Sequence, residues 1–190
     1  MREVSLHTLR GLVDRLDASV RLGEVHTVTS HVKTALCDLI RSHALEVPER
    51  YCRPLPDRYA RRLLHRNDEL GYTAVVMTWG PGQKTCLHDH AGMWCVEGVI
   101  AGEMAVARYD LIESAGDRYR FALVEQVLAG IGSSGALIPP YEYHVLANAL
   151  PDRTSVTLHV YGGEMDHCRI FEPEADGLWS KIDKQLAYDD

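Results

Sequence analysis

Residues Gly82–Gly102 read GQKTCLHDHAGMWCVEGVIAG. Two histidines, His88 and His90, are separated by one residue, with Cys86 before them and Cys95 after. Side chains alternate between the faces of a β-strand, so a strand through KTCLHDH projects both imidazoles from one face, within reach of a single ion. The same spacing on a solvated polar face leaves two unrelated imidazoles. The pair alone does not choose between these.

A second stretch, TSVTLHVYG from Thr154 to Gly162, carries more information. Thr154, Val156, Leu158 and Val160 fall on one face of a strand, and Ser155, Thr157, His159 and Tyr161 on the other. A face bearing hydroxyls, an imidazole and a phenol is costly to bury dry. It either lines a cavity with polar contents or lies on the solvated outside, and the three apolar residues opposite favour the cavity.

Around these two stretches the texture is that of an all-β sandwich or barrel. YTAVVMTW, CVEGVIAG, EMAVARYDLI, YRFALVEQV and ALIPP are short runs rich in β-branched and aromatic residues, separated by Gly, Pro, Asn and Asp. Upstream the period changes. Leu6, Leu9, Val13, Leu16 and Val20 recur at helical intervals, and Val25, Val28, Val32, Leu36, Leu39 and Ile40 repeat the pattern. A third helix is expected over DRYARRLLHR, with Asp57 as its N-cap. The organisation expected is one domain over residues 1–190: a helical part over 1–66, a β-barrel core over 67–175 and a C-terminal tail over 176–190. No repeat, low-complexity segment or linker divides the chain.

The 190 residues suffice for one sizeable core. A net charge of −7, from 27 acidic and 20 basic residues with no long run of either, offers no basic stripe for nucleic acid or an anionic membrane. No apolar run approaches the roughly 20 residues that span a bilayer. MREVSLHTLR carries no apolar signal region. A cytoplasmic protein with a small-molecule partner, as a monomer or weak homo-oligomer, is expected. The five cysteines form no CxxC pair and are odd in number, so they are not a disulfide framework. Cys86, on the His88 face of the expected strand, is read as a packed thiol. His7, His26, His31, His43, His65 and His167 are read as surface or structural residues.

With these residues in place, the stretch Gly82–Gly102 resembles the first sequence motif of the cupins in its thiol dioxygenase form. Most cupins carry a glutamate ligand three or four residues after the histidine pair. No carboxylate stands there, and Glu97 comes too late. PPYEYHVLANALPDRTSVTLHVYG then resembles the second half of the site of the cysteine dioxygenase family, and the likeness covers roughly residues 57–171. It implies a mainly β fold, a cupin (jelly-roll) barrel with N-terminal helices packed on it. It also implies an iron(II) centre held by His88, His90 and His144, with Tyr161 and His159 as catalytic residues. Cys95 stands at the cysteine that some members join to that tyrosine as a thioether. Thr157 takes the place of a usual serine, Trp79 matches a substrate-pocket tryptophan, and Tyr59 and Arg61 match a helix that presents a carboxylate-binding arginine.

The activity so implied is oxidation of a small thiol carboxylic acid by dioxygen to a sulfinic acid, with both oxygen atoms placed on sulfur. L-cysteine is the expected substrate, because an arginine two residues after Tyr59 resembles the cysteine-using branch. The alternative is 3-mercaptopropionate. HVYGGE lacks the proline pair common after the tyrosine, and Arg169 in HCRIF lies near the carboxylate-binding arginine of the mercaptopropionate branch. A non-redox metal-binding cupin, with zinc on the three histidines, is the alternative from another class.

Overall fold

The computed structural model of the chain describes residues 6–190. Two helices open it, α1 at Leu6–Val20 and α2 at Val25–Arg41. Glu24 caps the second: its carboxylate accepts the backbone N–H of His26 at 3.0 Å and of Thr27 at 2.7 Å. The buried faces follow the helical period, with Leu12 and Leu16 on α1 and Val28, Val32, Leu36, Leu39 and Ile40 on α2. Val25, expected in that stripe, is exposed, and the Leu6 side chain lies outside the described residues.

A short 3₁₀ turn, Glu49–Cys52, leads into eleven strands. These are β1 Ala60–Asn67, β2 Tyr72–Trp79, β3 Leu87–His88, β4 Cys95–Ala101, β5 Glu103–Ala115 and β6 Arg118–Gly130, followed by β7 Ser134–Leu137, β8 His144–Asn148, β9 Ser155–Tyr161, β10 His167–Pro173 and β11 Trp179–Gln185. One sheet has the order β1-β2-β9-β4-β7, and the remaining strands close on each other as β10-β11-β6-β5-β8-β3. Neighbours distant in sequence and facing sheets give the jelly-roll barrel with helices on its outside that the sequence leads one to expect.

The first sheet separates two cores. On its outer face Tyr72, Ala74, Val76, Val96, Val156, Leu158 and Val160 pack against both helices. On its inner face Val75, Met77, Trp79, Cys95, Val99 and Tyr161 meet Met104, Leu146 and Cys168 from the opposite wall. Each fully buried aliphatic side chain in such a layer contributes roughly 1.5–3 kcal/mol. The two faces expected for TSVTLHVYG are thus both buried: the apolar one under the helices, the polar one inside the barrel.

Gly102, between β4 and β5, has φ +76°, and a Cβ there would lie 2.3 Å from Ser155 Oγ. Only glycine fits both the left-handed turn and that approach.

Three expectations are corrected. Residues 60–67 are strand β1, not a helix, and Asp57 caps nothing helical. ARRLLHRN has good helix formers, but β2 is buried throughout and needs a partner for its outer edge. β1 supplies it, from Ala60↔Thr78 to Asn67↔Tyr72. The expected C-terminal tail contains β11, paired along its length with β10 from His167↔Gln185 to Pro173↔Trp179. Its apolar residues are too few to show a period of two. KTCLHDH is strand only at Leu87–His88. Among the described residues no helix is long and apolar enough to cross a membrane.

Candidate active site

His88 lies at a junction. It is the ladder partner of His144 on β8 and of Ile170 on β10, which brings residues 56 positions apart in sequence face to face. His90 follows outside the strand. Its segment is held by Asp89, a buried carboxylate that accepts the backbone N–H of Arg169 at 2.8 Å and of Ala91 at 3.2 Å. Ala91 and Gly92 then turn with φ +52° and +79°, and Met93 N–H closes the turn on the His90 carbonyl at 2.9 Å.

The three rings converge. One nitrogen from each of His88, His90 and His144 lies within 4.8 Å of the others, and the ring centroids are 4.6–5.2 Å apart. His88 Nδ1–H donates to the Cys86 carbonyl at 3.0 Å, which leaves the His88 Nε2 lone pair facing His144 Nε2 at 3.2 Å. Burial is the main cause holding all three imidazoles below their ordinary pKa, so they are neutral at pH 7. Neutral nitrogens converging on one point, with His90 Nδ1 buried and unpartnered, are a donor set fit for a divalent cation.

Beside them is a small cavity of about 90 Å³ lined by Tyr59, Arg61, Lys84, His88, His159, Tyr161, Cys168 and Lys184, among others. Tyr59 and Arg61 share it because they sit two apart on extended chain. On the expected helix they would diverge. Arg61 is 6 % exposed. Its guanidinium donates to the carbonyls of Met165 at 2.8 Å and Ala187 at 3.2 Å and lies over the Tyr188 ring. No carboxylate pairs with it among the described residues.

The other expected residues separate. Trp79 is fully buried behind the cavity, stacked on Tyr59 with centroids 4.6 Å apart, and its Nε1–H donates to Thr157 Oγ1 at 2.9 Å. Thr157 in turn meets His159 Nε2 at 2.8 Å. Trp79 and Thr157 therefore back the cavity rather than line it. His159 stacks parallel to Tyr161 at 6.0 Å, as neighbours two apart on a strand do, and does not hydrogen-bond the phenol. That hydroxyl is directed at Met77 Sδ, 4.0 Å away. Burial, first among the causes, raises the Tyr161 phenol and the Cys95 thiol well above their usual range and lowers His159 to about 3.

Arg169 is not in the cavity. It alternates on β10 with Cys168 and Ile170, which face inward, and so points out to Asp89 at 3.9 Å and Asp183 at 3.8 Å. Cys86, expected as a packed thiol, is exposed at the cavity mouth, because β3 begins only after it.

Glu97 comes too late after the histidines for the usual cupin glutamate ligand. Its side chain is 12 % exposed, with one carboxylate oxygen 3.8 Å from His144 Nδ1 and the other 3.6 Å from His159 Nδ1. The signal for it was present: Glu97 shares a face of β4 with Cys95, two residues before. Burial, with no positive neighbour among the protein's own groups, pushes its carboxyl up to about 8. A cation on the adjacent histidines acts in the opposite sense. Glu97 and Thr157 also border a second cavity of about 340 Å³ between β4, β5, β6 and β7, which none of the three clustered histidines lines.

The chain matches the family described as cysteine dioxygenase type I over residues 5–174. It is 24% identical to the cysteine dioxygenase type 1 of Danio rerio over 144 residues, which is 70% of this chain and 68% of that one. Among solved structures, a protein of Thermus thermophilus is similar with a TM-score of 0.47 and 20% identity, over 62% of this chain and 94% of that one. An oxalate oxidase in complex with glycolate gives 0.46 and 18%, over 57% and 53%.

Proposed function

Because this chain belongs to the cysteine dioxygenase type I family and is a thiol dioxygenase, we propose that its substrate is L-cysteine, its product cysteine sulfinic acid, and its metal iron(II) held by His88, His90 and His144. The observation that carries the substrate reading is Arg61. A buried guanidinium without a carboxylate partner is costly to keep, and a substrate carboxylate in the adjoining cavity supplies the missing charge. Its planar fork has donors to spare beyond the two that hold Met165 and Ala187. Lys84 and Lys184 at the same cavity add to the pull on an anion.

Iron(II) held by the three neutral imidazoles of His88, His90 and His144 would supply the activation of dioxygen needed to add both oxygen atoms to sulfur. The protein's own groups do the rest. Arg61 fixes the carboxylate, and with it the direction of the thiol. Tyr59, backed by Trp79, closes one wall against water. Tyr161, kept protonated by burial, would turn its hydroxyl from Met77 Sδ to donate to the reacting group on the cavity side of the histidines, and His159 packs parallel beside it.

A bound 3-mercaptopropionate would present the same carboxylate to Arg61, but Arg169, the alternative anchor for it, lies outside the cavity. We place the enzyme in the cytoplasm, as a monomer or weak homo-oligomer. Its free cysteines Cys37, Cys52, Cys86, Cys95 and Cys168 suit a reducing compartment. Oxygen uptake by the iron-loaded protein with L-cysteine, 3-mercaptopropionate and cysteamine tests the reading. A larger specificity constant for L-cysteine than for the other two is expected. Equal turnover of cysteamine, which has no carboxylate, would remove Arg61 from substrate binding.

A further inference from the structure

A run of polar groups leads from Trp79 to Glu97. The Trp79 indole can only donate, so Thr157 Oγ1 accepts from it at 2.9 Å. The Thr157 hydroxyl proton is then free to be donated to His159 Nε2 at 2.8 Å, and the ring tautomer that accepts it carries its own proton on Nδ1. His159 Nδ1 faces one oxygen of Glu97 at 3.6 Å. On the other side His144 turns Nε2 toward His88 and the shared ion position, so its proton too is on Nδ1, which faces the second oxygen of Glu97 at 3.8 Å. Glu97 Oε2 and His144 Nδ1 are both buried without a hydrogen-bond partner. No lysine or arginine pairs with this carboxylate among the described residues.

We propose that Glu97 is a positioning residue whose two carboxylate oxygens each accept one Nδ1–H, from His144 and from His159. The inference rests on the reading of His144 as a metal ligand. Both separations exceed a hydrogen bond, so the carboxylate or the rings must shift when metal binds for the two bonds to form. The arrangement makes one line of donors and acceptors, from Trp79 through Thr157, His159 and Glu97 to His144. It ties the wall of the substrate cavity to the metal site. It keeps the His144 Nε2 lone pair aimed at the cation and makes that ring a stronger ligand, as carboxylates behind metal-bound histidines do. It also brings a negative charge to within one imidazole of the ion, which lowers the net charge that the substrate thiol meets.

The test uses the full-length protein, Glu97→Leu and Glu97→Gln, with zinc as a redox-silent probe beside iron(II). Metal affinity by chelator competition is expected to fall about 10-fold to 100-fold in Glu97→Leu. Glu97→Gln, which keeps one accepting oxygen, should fall less. The thermal midpoint of the metal-free protein should hold or rise in Glu97→Leu, since a largely buried carboxyl whose Oε2 has no hydrogen-bond partner is replaced by an apolar side chain. In zinc-loaded, ¹⁵N-histidine-labelled wild type, both His144 and His159 should show the Nδ1–H form, with that proton exchanging faster in Glu97→Leu. Unchanged zinc affinity in Glu97→Leu overturns the proposal, and so does a parallel loss of affinity and metal-free stability, which marks a merely structural residue. Wild-type affinity in His144→Ala would instead overturn the ligand reading beneath it.

Discussion

Cys95 and Tyr161 stand directly opposite each other across β4 and β9, and both side chains are buried. Residues so paired have Cβ atoms roughly 4.5–5.5 Å apart, close enough for a thiol and a phenol ring to meet. The thiol is held protonated by burial, so it is not a spontaneous nucleophile. Joining its sulfur to a ring carbon of the phenol removes one hydrogen from each residue and is a two-electron oxidation, for which dioxygen, the enzyme's own co-substrate, would be the oxidant. Intact mass after turnover should show a fraction lighter by about two hydrogens, absent in the metal-free protein and in Cys95→Ser. A single unchanged mass after many turnovers refutes the link.

Removal of any one ring of the cluster breaks a three-nitrogen set that has no spare among the described residues. His88→Ala, His90→Ala and His144→Ala should each lose most bound iron and essentially all thiol-dependent oxygen uptake. Iron stoichiometry by elemental analysis, read beside circular dichroism, checks this. Stoichiometric iron in a folded His144→Ala protein contradicts the assignment.

Arg61 and Arg169 make opposite predictions. Loss of one charged contact to a carboxylate in a largely dry cavity costs about 2–4 kcal/mol, so Arg61→Gln should lower kcat/KM for L-cysteine about 30-fold to 1000-fold. Arg169→Gln removes two long ion pairs of a side chain outside the cavity, while its backbone N–H still holds the buried Asp89, and should change kcat/KM by less than about 3-fold. Steady-state kinetics of both variants decide it, and the reverse ranking would move the carboxylate to the other side of β10.

The metal-free protein should weaken in acid. His159 is lowered to about 3, so its ring stays neutral in the fold while the unfolded chain takes up a proton below about 6.5. Its stabilising contribution is present above about pH 6.5 and is lost as pH falls toward about 3. His88, His90 and His144 shift in the same direction. Glu97, raised to about 8, works oppositely: its contribution is present below about 4.5 and fades as pH rises toward 8. Four imidazoles outweigh one carboxyl, each worth at most about 1.4 kcal/mol per pH unit. The urea midpoint of metal-free protein should thus fall between about pH 6.5 and pH 5. A rising midpoint in that interval is the contrary result.

Spacing along the chain was enough to find the His88–His90 pair, the two faces of Ser155–Tyr161, and most strands from Tyr72 onward, because alternation within a strand is a local property of the backbone. The helical stripes of α1 and α2 were legible for the same reason. Likeness to a family carried His144 into the site, and the ladder pair His88↔His144 shows the two residues together. Residues 60–67 misled, since their helix propensity is a weak local preference that the edge of β2 overrides by long-range pairing.

Glu97 and Arg169 mark the boundary between the two kinds of information. Alternation puts Glu97 on the face of Cys95 and Arg169 on the face opposite Cys168. Nothing local says that the first face closes over His144 and His159, or that the second turns to solvent. Those facts depend on which strand pairs with which and in what register, and register joins residues far apart in sequence. A one-residue slip would exchange every inward and outward side chain.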